Sequence, residues 1–85
     1  MKWRRGSRRA IPRLRTAFGR RLRELRRRRG WSQEVLGAKA SLSDKFLGEV
    51  ERGEKSISLD NLAYLARALG VPLVAMLKGL KARKG

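Results

Sequence analysis

The sequence predicts an all-α domain of five short helices. Along the 85-residue chain, apolar residues recur at spacings of three and four, which is the period of an amphipathic helix. Serines stand where helices can begin and glycines where they can end: Ser32 and Ser58, and Gly30 and Gly70. A chain of this length forms one small domain, in which short helices must bury their apolar faces against one another.

The first eleven residues are expected to form a disordered basic arm. Residues 1–9 carry one lysine and four arginines without helical periodicity, and charges this dense repel one another. The arginines are Arg4, Arg5, Arg8 and Arg9. They are candidates for phosphate contacts and for entry into the minor groove of DNA. The alternative is a solvated tail that adds only non-specific attraction.

The first helix is predicted between Pro12 and Arg29. Pro12 suits the first helical turn, where its missing N–H removes no hydrogen bond, and Gly30 suits the C-terminal cap. The apolar residues lie four, four and three apart: Leu14, Phe18, Leu22 and Leu25. This spacing gives the helix one apolar face.

Two short helical patterns follow across residues 32–52. Ser32 is the predicted cap of the first, and the second begins at Leu42–Ser43. Their inward residues are Leu36 and Ala40 in the first and Leu47 and Val50 in the second, with Leu42 in the corner between them. Since two helices this short cannot each bury a face alone, they are predicted to pack together as a helix-turn-helix.

A fourth and a fifth helix complete the domain, which is expected to span residues 12–78, with a basic tail at 79–85. Ser58 caps the fourth helix and Gly70 ends it. Its predicted inward face consists of Leu59, Leu62, Ala63, Ala66 and Leu69, with Leu65 beside it. Val71–Pro72 opens the fifth helix, whose apolar residues are Leu73, Val74, Met76 and Leu77.

The helix pair resembles the lambda-repressor-like family of helix-turn-helix domains, also called the Cro/repressor or XRE type. It fills the family's apolar positions with Leu36, Ala40, Leu42, Leu47 and Val50. It opens with Ser32–Gln33 and closes with Glu51–Arg52–Gly53, and the similarity spans about Phe18 to Leu77. Gly37 and Ser41 depart from the family, which prefers alanine and glycine at these positions.

The resemblance implies a compact five-helix domain that binds DNA, with the second motif helix, at about residues 43–51, in the major groove. The base-reading candidates are Ser43, Asp44, Lys45 and Glu49. The phosphate-binding candidates are Ser32 and Gln33 on one side, and Arg52, Lys55 and Ser56 on the other. The family also pairs Arg26 with Glu51, which would fasten the first helix to the third, and it buries the apolar residues of the fifth helix.

The charge of the chain favours a nucleic-acid partner. The net charge is +16, and 14 of the 23 lysines and arginines lie in residues 1–29, which contain a single glutamate. A chain this basic needs an anionic partner, and nucleic acid is the leading candidate.

No feature of the sequence predicts an enzyme. The chain has no cysteine and no histidine, which excludes thiolate and imidazole chemistry and the metal sites built from them. Glycine-rich phosphate loops are absent, and the acidic residues are scattered. We therefore expect no catalytic residue, no metal ligand and no cofactor. No apolar run approaches the ~20 residues of a membrane span, so the expected location is the cytoplasm.

The predicted function is a sequence-specific regulator of transcription, repressor-like, that binds double-stranded DNA as a homodimer. The expected dimer contact is an apolar edge at Met76, Leu77 and Leu80. The alternative is an antitoxin-like module that neutralises a partner toxin and regulates its own operator. A third, less favoured hypothesis is a binder of membrane surfaces or RNA through residues 1–29, because a basic amphipathic helix also suits anionic lipid.

Overall fold

The structure, a computed structural model, describes residues 10–80, without the side chains of residues 10–12. Within that range it contains five helices and no strand: α1 (Ala10–Arg28), α2 (Gln33–Ala40), α3 (Asp44–Glu51), α4 (Leu59–Leu69) and α5 (Leu73–Met76). The predicted all-α, five-helix fold is confirmed. Helix α1 begins at Ala10, so its first two residues overlap the predicted arm, the rest of which lies outside the described residues.

Serine hydroxyls cap three of these helices. The Oγ atoms of Ser32, Ser43 and Ser58 accept hydrogen bonds from the backbone N–H three residues on, at 3.1, 3.0 and 3.1 Å. Each cap satisfies an N–H that has no partner inside its helix and contributes about 1 kcal/mol. The predicted caps Ser32 and Ser58 are confirmed, and Gly70 ends α4 in the left-handed conformation, as predicted.

The core lies where the helices meet. Helix α1 packs mainly on α3, α2 packs on α3 and α4, and α5 closes the core against α4 and α1. The buried apolar residues are Phe18, Leu22 and Leu25 from α1, Leu36 and Ala40 from α2, Leu47 and Val50 from α3, Leu62, Leu65, Ala66 and Leu69 from α4, and Met76 from α5. Leu42 packs against this core from the corner between α2 and α3. The predicted inward faces of the helix-turn-helix are therefore confirmed.

The predicted face of α4 is partly wrong. Leu59 is 79% exposed and Ala63 is exposed, whereas Leu65 is fully buried. Viewed down the helix axis at about 100° per residue, Leu65 lies on one side of Leu62. Leu59 and Ala63 lie on the other side, rotated from Leu62 by about 60° and about 100°. The neighbouring helices cover the Leu65 side only.

The predicted burial of α5 is wrong for three of its four apolar positions. Leu73, Val74 and Leu77 are 46%, 75% and 47% exposed, while Met76 is completely buried. A helix of four residues makes about one turn and presents a single side chain to the core. Complete burial also removes Met76 from the expected dimer contact.

Two glycines allow backbones to approach closely. A Cβ at Gly19 would collide with the carbonyl oxygen of Glu51, so the missing side chain lets α1 lie against the end of α3. A Cβ at Gly37 would lie 2.5 Å from the carbonyl oxygen of Leu42. The turn between α2 and α3 therefore requires glycine where the family prefers alanine. Ser41 in that turn has φ 58°, the left-handed region that glycine adopts at less cost.

We expect Gly37→Ala to lower the free energy of unfolding by about 1–3 kcal/mol, because the new methyl group must displace the Leu42 backbone. Gly48→Ala is the matched control. A Cβ there would meet only the ends of two flexible side chains, at 3.1 and 3.3 Å, and the gain in helix propensity is about 1 kcal/mol. Urea denaturation followed by circular dichroism measures both. A Gly37→Ala variant as stable as the native protein would contradict the close approach.

Candidate nucleic-acid interface

A buried carboxylate at the end of α3 joins three helices. Arg26 donates to Glu51 through Nε at 2.6 Å to Oε2 and through Nη2 at 2.9 Å to Oε1. Oε1 also accepts from Gln33 Nε2 at 3.1 Å and from Arg23 Nε at 3.4 Å. The predicted pairing of Arg26 with Glu51 is confirmed, and its two-point geometry fixes the angle between α1 and α3.

Two opposing effects set the pKa of Glu51. Burial raises the pKa of this carboxyl, whereas hydrogen bonds from Arg26, Gln33 and Arg23 lower it. The hydrogen bonds together outweigh the burial, so the pKa of Glu51 lies below its ordinary value. Arg26 is held in turn, since its Nη1 donates to the carbonyl oxygen of Trp31 at 2.8 Å. The carboxylate therefore stays ionised inside the protein, and each nitrogen of the guanidinium and each oxygen of the carboxylate forms at least one hydrogen bond.

The predicted base-reading residues lie at the exposed start of α3 and one turn on. Ser43, Asp44 and Lys45 are exposed, and Glu49 is half-buried. Lys45 and Glu49 are four apart on the face opposite Leu47 and so share one surface. Ser43 uses one acceptor position of its hydroxyl for capping and keeps its O–H free to donate.

The predicted phosphate-binding residues flank α3. Ser32 caps α2, and Gln33 begins it with its amide lying across Gly48 toward Glu51. On the other flank, Arg52 pairs with Glu54, its Nε lying 2.8 Å from Oε2, and both side chains are more than half exposed. Lys55 and Ser56 follow in an exposed loop. The arm candidates Arg4, Arg5, Arg8 and Arg9 lie outside the described residues.

Sequence reasoning missed the contacts that Gln33 and Arg23 make with Glu51. One signal was available in principle: a carboxylate has about four acceptor positions, and a single arginine does not fill them. It also missed that Gly48, on the outward side of α3, is covered by the side chains of Gln33 and Arg52. The identity of these extra partners depends on how the helices pack, which no local pattern reveals.

The surface of α3 and its following loop carries no net charge. Three acidic side chains, Asp44, Glu49 and Glu54, stand beside three basic ones, Lys45, Arg52 and Lys55. Arginines concentrate instead on α1, where Arg13, Arg20, Arg27 and Arg28 are exposed. The positive charge and the predicted base-reading residues therefore belong to different helices.

Comparison with known proteins identifies the family. A family model described as a helix-turn-helix domain matches residues 17–78. The chain belongs to this helix-turn-helix family. This membership confirms the predicted resemblance, and the regulators described below confirm the predicted class of function, a DNA-binding transcriptional regulator that is repressor-like. Proteins of this class are normally non-enzymatic.

Similar proteins include controllers of gene expression. The control protein C.BamHI of Bacillus amyloliquefaciens is 36% identical over 59 residues, which cover 68% of this chain and 73% of that protein. The crystal structure of the restriction-modification controller protein C.AhdI from Aeromonas hydrophila matches with a TM-score of 0.72 and 42% identity, covering 73% of this chain and 94% of that one. The crystal structure of the clp gene regulator ClgR from C. glutamicum matches with a TM-score of 0.71 and 36% identity, covering 75% of this chain and 83% of that one.

Two classes of site are missing from the part of the chain that the structure describes. Residues 10–80 contain no group of acidic, cysteine or histidine side chains that could hold a metal ion. None of the five helices is long and apolar enough to cross a lipid bilayer.

We expect acid to destabilise the protein partly through Glu51. Because its pKa is lowered in the fold, the unfolded chain binds the proton more readily, so the pair stabilises the fold above the ordinary pKa of about 4.3. That stability is lost as the pH falls through the lowered value. Urea denaturation at pH 7 and at pH 3 measures the loss in the native protein and in Glu51→Gln.

Glu51→Gln should cost about 3 kcal/mol at pH 7, because it leaves a buried guanidinium without its counter-charge, and its stability should then depend less on pH. Glu24→Gln is the control. Glu24 pairs with Arg21 and Arg28 at the exposed surface, where solvent screens an ion pair and its contribution to stability is small. An equal loss of stability with acid in the native protein and in Glu51→Gln would contradict this role for the pair.

Proposed function

We propose that this regulator reads double-stranded DNA by seating α3 in the major groove, with its N-terminal residues at the base edges. One observation carries the proposal: the exposed start of α3 presents Asp44 and Lys45 outward, while its far end is fixed to α1 by the Arg26–Glu51 pair. A helix held at one end and exposed at the other suits a recognition element on a rigid domain.

The side chains at the start of α3 suit a mixed sequence. Lys45 donates to O6 or N7 of guanine. Asp44 and Glu49 can only accept, and the N4 amino group of cytosine is the matching donor. Ser43 donates its remaining O–H to an acceptor on either base of a pair. We therefore expect the preferred site to contain G·C pairs beside the start of α3.

The flanking polar residues are proposed to bind phosphates. Ser32 and Gln33 contact one strand at the start of α2, where unpaired N–H groups and the helix dipole also favour an anion. Arg52, Lys55 and Ser56 contact the other strand, Arg52 exchanging its exposed partner Glu54 for a phosphate. The arginines at 4, 5, 8 and 9 are proposed to add phosphate contacts that carry no sequence information.

Homodimerisation is proposed through α5 and the residues after it. Leu73, Val74 and Leu77 are exposed on this short helix, and Leu80 is half-buried beside it. Water contact with three large apolar side chains so close in sequence is unfavourable, and a second copy would relieve it on both chains. A two-fold dimer places two recognition helices about 34 Å apart on a near-palindromic site.

The membrane hypothesis conflicts with the way α1 is used. An interfacial helix inserts its apolar face into lipid, but Phe18, Leu22 and Leu25 are at most 6% exposed because they form the core. The antitoxin-like alternative stays a prediction, since a toxin partner would use the same exposed residues of α5 as a second copy. The RNA alternative also stays a prediction.

For a regulator of DNA, the proposed location is the cytoplasm.

Substitutions at three residues test the seating of α3. On a site selected from random DNA at stated salt, Lys45→Ala should lose about 1–3 kcal/mol of binding and relax the choice at one base pair. Gln33→Ala should weaken binding to all sequences by a similar factor, because phosphate carries no sequence information. Electrophoretic or anisotropy titrations against matched sites and single-base variants measure both.

Asp44→Ala gives a result whose sign is informative. If Asp44 accepts from cytosine, its loss reduces discrimination at that base pair; if it only faces the backbone, its loss raises affinity for every sequence. Retention of the full native affinity and preference in Lys45→Ala and in Gln33→Ala would rule out the proposed seating.

Sedimentation tests the dimer separately. Val74→Asp should leave the fold intact, because this side chain is 75% exposed, and should shift the native dimer toward monomer. Leu59→Asp, at a position 79% exposed near the start of α4, introduces the same carboxylate as a control and should leave the dimer unchanged. A native protein that sediments as a monomer at high concentration would exclude the proposed assembly.

A further inference from the structure

The arginines of α1 fall into two sets according to what they contact. The first set donates to acceptors of the fold: Arg15 to the carbonyl oxygen of Gly53, Arg21 to that of Ala75, Arg23 and Arg26 to the Glu51 carboxylate, and Arg28 to the Glu24 carboxylate. The second set is Arg13, Arg20 and Arg27, which we call the α1 ridge. These three side chains are exposed, and no residue in the range 10–80 forms a hydrogen bond or ion pair with them. The fold therefore does not account for the α1 ridge.

The three arginines form a nearly straight row. They are seven residues apart, so successive members lie about 10.5 Å apart along the helix axis and only about 20° apart around it. The row is about 21 Å long and lies on the side of α1 opposite the buried Leu22. Shallow depressions border Arg20. One is shared with Arg23, Glu24, Arg27 and Arg28, another with Arg13, Thr16 and Ala17, and a further one with Glu24 and Lys78. Glu24, the one acidic residue in the sequence of α1, is already paired with Arg21 and Arg28.

We propose that the α1 ridge binds the phosphate backbone of a second DNA duplex while α3 holds the first, so that one protein bridges two DNA segments. The inference rests on the proposed seating of α3. Gly19 marks the side of α1 that packs on α3, and the ridge lies about 100° round from it, away from the core. Because the ridge does not face α3, we expect a straight duplex seated on α3 to leave it uncovered. The 21 Å row matches about six base pairs at 3.4 Å each.

The chemistry of the α1 ridge fits phosphate better than other anionic partners. Guanidinium groups form two-point contacts with phosphate oxygens. Thr16 and Ala17 stand between Arg13 and Arg20, and Arg23 and Glu24 stand between Arg20 and Arg27. None of these is an aromatic or large aliphatic anchor of the kind that protein interfaces use. A lipid surface would need an apolar face to insert, and that face of α1 is in the core. A DNA backbone needs only a row of cations.

Energy transfer between two labelled duplexes tests the bridge. The full-length protein is saturated with a donor-labelled duplex that carries its selected near-palindromic site, which occupies both recognition helices of a dimer. An acceptor-labelled duplex without that site is then added at about 50 mM salt. The native protein is compared with the ridge variant Arg13→Gln/Arg20→Gln/Arg27→Gln. The control, Lys39→Gln/Arg67→Gln/Lys78→Gln, removes three exposed positive charges that lie off the ridge.

The native protein and the control should capture the second duplex. The ridge variant should bind it more than about tenfold less tightly, and the slope of log K on log salt should fall by about 2.7, the value for three lost phosphate contacts. Its affinity for the first duplex should change less than about threefold. Circular dichroism should show native helix content, because all three side chains are exposed.

Four outcomes would overturn the proposal. One is equal loss of the second duplex in the ridge variant and the control, which would indicate net charge alone. Another is an equal loss of affinity for the first and the second duplex in the ridge variant, which would indicate that a single duplex contacts both α3 and the α1 ridge. The third is no capture by the native protein. The fourth is ridge-dependent binding to vesicles of equal parts phosphatidylserine and phosphatidylcholine in place of the duplex. An unchanged base preference in Lys45→Ala would instead contradict the seating of α3. The binding of the second duplex to the α1 ridge could still be measured in that case, so the two proposals can fail separately.

Discussion

The buried pair of Arg26 and Glu51 is the interaction on which the rest of the structure depends. It fastens α1 to the end of α3, and through Gln33 it reaches the start of α2. The close approach at Gly19 places the backbones so that this pair can form inside the protein. Apolar packing alone tolerates small rotations of one helix against another, whereas a two-point guanidinium–carboxylate contact does not. The orientation of the helix that presents Lys45 is thus set by a polar contact behind it.

The distribution of charge separates two requirements of DNA binding. The surface around α3 has as many acidic as basic side chains, so attraction to a polyanion must come from elsewhere. The proposed sources are the arginines at 4, 5, 8 and 9 for the duplex held by α3, and the α1 ridge for the second duplex. Phosphate contacts give affinity that depends steeply on salt, and base contacts give selectivity. If the proposed contacts hold, the two contributions can change independently, because different residues make them.

Much of the fold could be predicted from the sequence, because its signals are local. Serine caps, the glycine end of α4 and the spacing of Leu36, Ala40, Leu47 and Val50 act within a turn or two of helix. What failed depends on the position of neighbouring helices: the exposure of Leu59 and Ala63, and the burial of Met76 where a dimer contact was expected. For the site, family resemblance supplied the positions of the DNA-contact candidates, whose roles remain proposals. It could not supply the contacts of Gln33 and Arg23 with Glu51, which arise only when three helices meet.

The hydrogen bond from Gln33 to Glu51 bears on the entropy of binding. A free glutamine side chain samples many rotamers, and ordering it costs on the order of 1–2 kcal/mol. Here Nε2 is already held by the buried carboxylate, so that freedom is lost when the chain folds. A ligand that meets the remaining N–H of the amide finds a donor already oriented, and association need not supply the cost of ordering it. A carboxylate with no access to solvent thereby influences how tightly the surface of the protein can bind.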